Sequence, residues 1–189
     1  STEAAARQDS TGKFWHDMSH LEADGEPVFA ADLPEKAKKK ENAGLVAANG
    51  GLVRVSMPLD LAVKLIEKIE AKAAEWDMRV VTAVSDASAR PVAIHCMDGA
   101  YIGSYDVALN KTYTSIAFQM STAQLGHLSR PGESLYGIQF TNNGKIVIFG
   151  GGEVLKKDGV ILGALGVSGG SAEQDTALAA YGKSIFETL

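Results

Sequence analysis

Residues 159–181 read GVILGALGVSGGSAEQDTALAAY, a strand, a glycine turn and a helix start in one run. Val160, Leu162, Ala164 and Gly166 alternate with Ile161, Gly163, Leu165 and Val167, so both faces are apolar. That pattern fits a strand buried inside a sheet. Ser168-Gly169-Gly170 ends the run with residues that tolerate positive φ, and Ser171 with Gln174 three positions on makes a capping-box pattern. Glu173 and Asp175 complement the positive end of the helix that starts there. Leu178, Tyr181, Ile185 and Leu189 recur at helical spacing, so this last helix lays one face on the sheet. The turn can offer free N–H groups to an anionic ligand; folding the helix back explains it equally well.

Working back along the chain, Asn142-Asn143-Gly144 is a turn signal before Lys145–Phe149, which reads as an apolar strand. Three glycines follow, and Glu153–Leu155 joins the strand from Val160 through Lys156-Lys157-Asp158-Gly159, a tight-hairpin sequence. Arg79–Asp86 and Pro91–Met97 form a second predicted hairpin. Helical spacing appears in Leu61, Leu65, Ile69 and Trp76 after a start at Ser56 and Pro58, and again from Ser104 to Gln119, with a short helical turn over Ser121–Leu128. This order predicts an α+β fold: a five-stranded antiparallel sheet with helices on both faces, and not a βαβ dinucleotide fold.

The 189 residues suit one domain, read as residues 55–189, preceded by an N-terminal arm over residues 1–54. A net charge of -5 with no long basic run argues against nucleic acid as a partner, and the Lys36–Lys40 cluster reads as a solvated helix face. Cys96 is the single cysteine, so no intramolecular disulfide can form, and no apolar stretch is long enough to span a bilayer. A cytoplasmic location is expected, and an exported form after leader removal is also compatible. In the arm, Phe14, Trp15, Met18 and Leu21 can make one apolar stripe on a short helix, and residues 44–55 fit a short strand or extended lead-in. His16 and His20 share a helix face and could bind a metal, although HDMSH departs from the H-E-x-x-H pattern and lacks an evident third ligand. Glu67 and Glu70 are spaced to hold a cation, a spacing that solvation on a charged helix also explains.

Several separated motifs carry a family likeness. RVVTAVSDASARPVAIHCMDG, SYDVALNKTYTS, LYGIQFTNNGKIVIFGGG and GVSGG, spanning about Pro58 to the C-terminus, resemble the GlcG/HbpS-like haem-binding family. The wording of the last three is most similar to the C-terminal domain of PduO-type corrinoid-associated proteins. The resemblance implies a profilin-like α/β/α sandwich, a haem or corrinoid ligand, and self-assembly from dimers to octamers. No adenosyltransferase-like region precedes the family motifs, so corrinoid adenosylation is not expected. Relatives carry two glycines and a histidine in the first hairpin turn, where this chain has Ser88, Ala89 and Arg90. A ligand role for that histidine therefore does not carry over.

His95 and Cys96, at the end of the second strand, have the chemistry of axial iron ligands, and strand alternation sends them to opposite faces. A buried apolar cysteine and a hydrogen-bonded surface histidine would look the same. The resemblance marks the Ser104–Gln119 helix as pocket-lining, with Lys111, Thr112 and Thr114 suited to ligand carboxylates. His127, Arg130, Tyr136 and Phe140 form a mixture suited to one wall of a macrocycle site. The sequence thus leads to a tetrapyrrole-binding protein, haem first and a cobalamin-type corrinoid second, acting in sequestration, delivery or sensing. The alternative is a small-molecule enzyme of lyase, isomerase or hydrolase type using the same inter-subunit pocket on a carboxylated or aromatic substrate, with Asp86, His95, Lys111 or His127 doing acid–base work, and a structural or accessory subunit is the third reading.

Overall fold

The computed structural model describes residues 56–189 throughout and, before them, only four short strands. These are β1 (Arg7–Gln8) paired with β2 (Phe14–Trp15), and β3 (Leu45–Ala47) paired with β4 (Val53–Val55), both antiparallel. Phe14 and Trp15 are thus strand residues and do not open a helix. The rest of that expected helix, with His16 and His20, lies outside the described residues.

Helix α1 (Leu59–Glu75) starts after Pro58 and buries Leu61, Leu65, Ile66, Ile69 and Ala73, the predicted stripe. Strands β5 (Val81–Asp86) and β6 (Pro91–Cys96) form the first hairpin. Helices α2 (Ser104–Phe118) and α3 (Thr122–Leu128) follow. The second hairpin is β7 (Gly152–Lys157) with β8 (Val160–Ser168), and α4 (Ala172–Phe186) closes the chain. The predicted capping box is formed: Ser171 Oγ accepts from the Gln174 N–H at 3.2 Å, and Gln174 Oε1 accepts from the Ser171 N–H at 2.9 Å.

The main sheet has the order β6-β5-β8-β7, antiparallel throughout. Helices α1 and α4 pack on one face and α2 on the other. Val80 and Val84 face the first layer, where they join Leu65, Ile69, Leu162, Leu178 and Phe186 in the larger core. Val81 and Ala83 face the second, against Ala108. On that side α2 lies close to the sheet backbone, since a Cβ on Gly166 would stand 2.0 Å from the Ala108 carbonyl oxygen.

The sheet has four strands where five were expected, because Lys145–Phe149 does not pair. Ile146 and Val147 are buried as their apolar character requires. A side chain takes one of their backbone donors: Thr114 Oγ1 accepts from the Val147 N–H at 3.0 Å, while its own hydroxyl donates to the Asn110 carbonyl of α2 at 2.8 Å, with the Lys145 carbonyl farther off at 3.3 Å. Among the described residues no helix is long and apolar enough to cross a membrane.

Candidate functional site

The GVSGG turn carries an anion, and the anion belongs to the chain. Asp175, in the first turn of α4, accepts the Gly170 N–H at 2.8 Å and the Gly169 N–H at 3.4 Å. It also takes the ammonium of Lys111 at 3.0 Å, while Lys111 donates to the Val167 carbonyl at 2.6 Å. Both side chains are shut off from water. Burial pushes the Lys111 ammonium below its ordinary value, opposed by the charge and hydrogen bond of Asp175.

In front of this pair lies an open cleft of about 780 Å³, within the range of small-molecule sites. One wall is α3 and the loop leaving it, bringing His127, Arg130, Tyr136 and Gln139; the other is α4, bringing Ala172, Glu173, Thr176 and Ala180. Ile148, Phe149 and Gly150 run between them. The two walls approach closely there because glycines stand at the contacts. A Cβ on Gly126 would lie 2.2 Å from the Ile148 carbonyl oxygen, and one on Gly150 only 1.7 Å from Thr176 Oγ1. Lys111 Nζ sits 5.0 Å from the centre of the Phe149 ring, a cation–π distance, so the buried pair backs one aromatic lining residue.

Three of the predicted residues, His127, Arg130 and Tyr136, therefore meet in one cleft. Phe140 stands on a 3-10 turn (Ile138–Phe140) next to the lining residue Gln139 and is 84% exposed. Thr114 is buried, donating to the Asn110 carbonyl and accepting the Val147 N–H, and Lys111 is spent on Asp175. His95 and Cys96 lie on β6, the edge strand opposite β7. His95 Nδ1 is 3.0 Å from Glu70 Oε1 on α1, and Cys96 is exposed. No group of three or more metal-ligating side chains occurs among the described residues.

Thr176 and Gln139 line the cleft without having stood out in the sequence, and Phe149 and Glu173, read there as a strand residue and a helix-end charge, line it as well. On α4 the eye follows the large residues of the buried stripe. The cleft uses the opposite stripe of Ala172, Thr176 and Ala180, which a triple glycine upstream could have marked as a place of close approach. The side-chain oxygen of Gln139 is buried with no hydrogen-bond partner in the protein.

Comparison with known proteins agrees with this architecture. An uncharacterised 15.0 kDa protein of the dhaT-dhaS intergenic region of Citrobacter freundii is 40% identical over 134 residues, 71% of this chain and 94% of that one. The corrinoid adenosyltransferase PduO of Salmonella typhimurium is 37% identical over 108 residues, which is 57% of this chain but only 32% of PduO. Among solved structures, a PduOC–haem complex superposes with a TM-score of 0.66 at 32% identity, covering 69% of this chain and 94% of that one. The family described as "Haem degrading protein HbpS-like" matches residues 57–183, the whole of the sandwich up to the last turns of α4, and the chain belongs to that family.

Proposed function

We propose that this protein binds a tetrapyrrole, haem in the first place, in the cleft between α3 and α4. The observation that carries the reading is the meeting of His127, Arg130 and Tyr136 around a floor of small residues. The set suits the group: glycine and alanine leave room for a flat ring, aromatic side chains can stack on it, and Arg130 can pair a carboxylate. The unpartnered Gln139 oxygen marks a polar position that a ligand or water can satisfy. Haem binding by the PduOC relative, at 32% identity, supports the same ligand class.

Bound haem would supply an iron centre with its electron-transfer and ligand-binding chemistry. The chain's part is to hold it. His127 is the candidate iron ligand within the cleft, Arg130 the carboxylate partner, and Tyr136 and Phe149 the stacking surface. Phe140 adds apolar cover at the rim, and Lys111 and Thr114 act from behind the wall, fixing Phe149 and the segment leading to it. His95 and Cys96 occupy a second location on β6 and remain candidates for an iron contact there. Sequestration, delivery or sensing is the role that fits a binding cleft, with a corrinoid as the second ligand choice. Assembly into homo-oligomers goes with this reading: Tyr101, Ile102 and Tyr105 are exposed apolar surface of the kind that subunits cover.

The test is a visible absorption titration of apo-protein with hemin, repeated on His127→Ala, His95→Ala and Cys96→Ala. A saturable stoichiometric shift of the main haem band that His127→Ala abolishes or displaces supports the cleft site. Loss in His95→Ala or Cys96→Ala alone would move the site to β6. A spectrum that only follows free hemin would overturn the reading, and screening of carboxylated aromatic substrates for turnover would then come first.

A further inference from the structure

The two walls of the cleft carry opposite charge. Arg130 supplies the positive charge on the α3 side, whereas Glu173 is the single charged residue that α4 contributes to the lining, beside Ala172, Thr176, Ala177 and Ala180. Neither Arg130 nor Glu173 is spent on an ion pair among the described residues. Glu173 sits in the first turn of α4, where the positive helix end favours a carboxylate. Across the cleft from the cationic wall, the protein has placed a fixed negative charge on an otherwise small and uncharged surface.

We infer that Glu173 is a specificity-determining residue that restricts the cleft to flat macrocycles whose carboxylates lie along one edge. The inference rests on the tetrapyrrole reading above and deepens it. A ring of that kind turns its acidic edge to Arg130 and lays its apolar edge against the alanines of α4. A ring with a carboxylate on every pyrrole has no such orientation, because each way of seating it sets one carboxylate against Glu173. Like charges facing each other disfavour a complex and so select against the wrong partner. Glu173 is exposed, so solvent weakens the effect to about tenfold in affinity, the size expected for unit charges several ångströms apart in a high-dielectric setting.

The experiment compares hemin, iron coproporphyrin I (a propionate on every pyrrole) and hemin dimethyl ester (no free carboxylate) by absorption titration. The proteins are the natural chain, Glu173→Gln, Glu173→Lys and Arg130→Gln. The natural chain is expected to prefer hemin over iron coproporphyrin I by roughly tenfold or more. Glu173→Gln removes most of that preference by tightening the coproporphyrin, and Glu173→Lys reverses it. Arg130→Gln weakens hemin but not its diester. An unchanged hemin-to-coproporphyrin ratio in both Glu173 variants would overturn the inference while leaving tetrapyrrole binding in place. Saturation by none of the three ligands would remove the tetrapyrrole reading and this inference together.

Discussion

Lys111 Nζ lies 3.0 Å from Asp175 Oδ2 with both side chains cut off from solvent. The pair joins the middle of α2 to the first turn of α4 across the end of β8, and Asp175 also gathers the Gly169 and Gly170 N–H groups. Losing one partner strands a buried charge, so Lys111→Met or Asp175→Asn is expected to cost about 3–5 kcal/mol in urea unfolding. The double variant Lys111→Met/Asp175→Leu should recover part of that loss, since two apolar groups leave no charge behind. A double variant no better than the worse single one would mean that the carboxylate's bonds to the turn outweigh its bond to Lys111.

This pair also shows where sequence reading stops. Ser171, Gln174 and the α4 stripe were legible because capping and helical periodicity are local rules, and Leu61, Leu65 and Ile69 were legible for the same reason. Asp175 looked like a dipole-complementing residue on a helix start. Its burial beneath the turn depends on Lys111, 64 positions earlier, a partner that no local pattern announces. The Lys145–Phe149 segment is apolar as a strand would be, yet it joins no sheet, and its Val147 N–H goes to the hydroxyl of Thr114 on a distant helix, a partner that local alternation does not announce. In the cleft, His127 and Arg130 could be found from their chemistry, whereas the small residues that shape the floor have no chemistry to betray them.

The first hairpin turn is tied by Asp86, whose carboxylate accepts the Ser88 and Arg90 N–H groups at 2.8 and 3.0 Å and the Arg90 guanidinium at 3.0 and 3.1 Å. Burial alone would raise its pKa. The backbone donors of Arg90 and Ser88, with the Arg90 side chain, outweigh that and hold it below the ordinary 3.8. A carboxylate with a depressed folded pKa adds stability that is present above 3.8 and is lost as the pH falls through the folded value. Acid titration of the unfolding midpoint should therefore drop less steeply below pH 3.8 in Asp86→Asn than in the natural chain. At neutral pH the same variant should be less stable by about 1–3 kcal/mol.

In the same turn Ala89 has φ of 60°, a left-handed conformation that a Cβ disfavours. Ala89→Gly removes that cost but loosens the unfolded chain, and where φ is positive the first effect wins. The expected gain is about 0.5–1 kcal/mol in chemical unfolding, with no change in hemin affinity because the turn is remote from the α3–α4 cleft. A loss of stability would mean that the Asp86 bonds, rather than the residue at position 89, already hold the turn open to any side chain.

Gly150 offers the sharpest test of the cleft floor. A Cβ there would fall 1.7 Å from Thr176 Oγ1, 3.0 Å from Thr176 Cβ and 3.4 Å from Ala123 Cβ, so the obstacle is chiefly one hydroxyl. Gly150→Ala should cost about 1–3 kcal/mol by forcing α4 away from the floor. Thr176→Ala alone should be nearly neutral, because that hydroxyl is exposed and bonds only its own helix at Ala172. Combined, the two changes should restore more than half of the lost stability, a coupling well above the error of additive sites. Hemin affinity supplies the second readout. If the ring rests on this floor, Gly150→Ala weakens binding and Thr176→Ala rescues it in parallel with stability. If stability recovers while affinity does not, the new methyl itself stands where the ligand lies, and Gly150 is then a contact residue as well as a packing one.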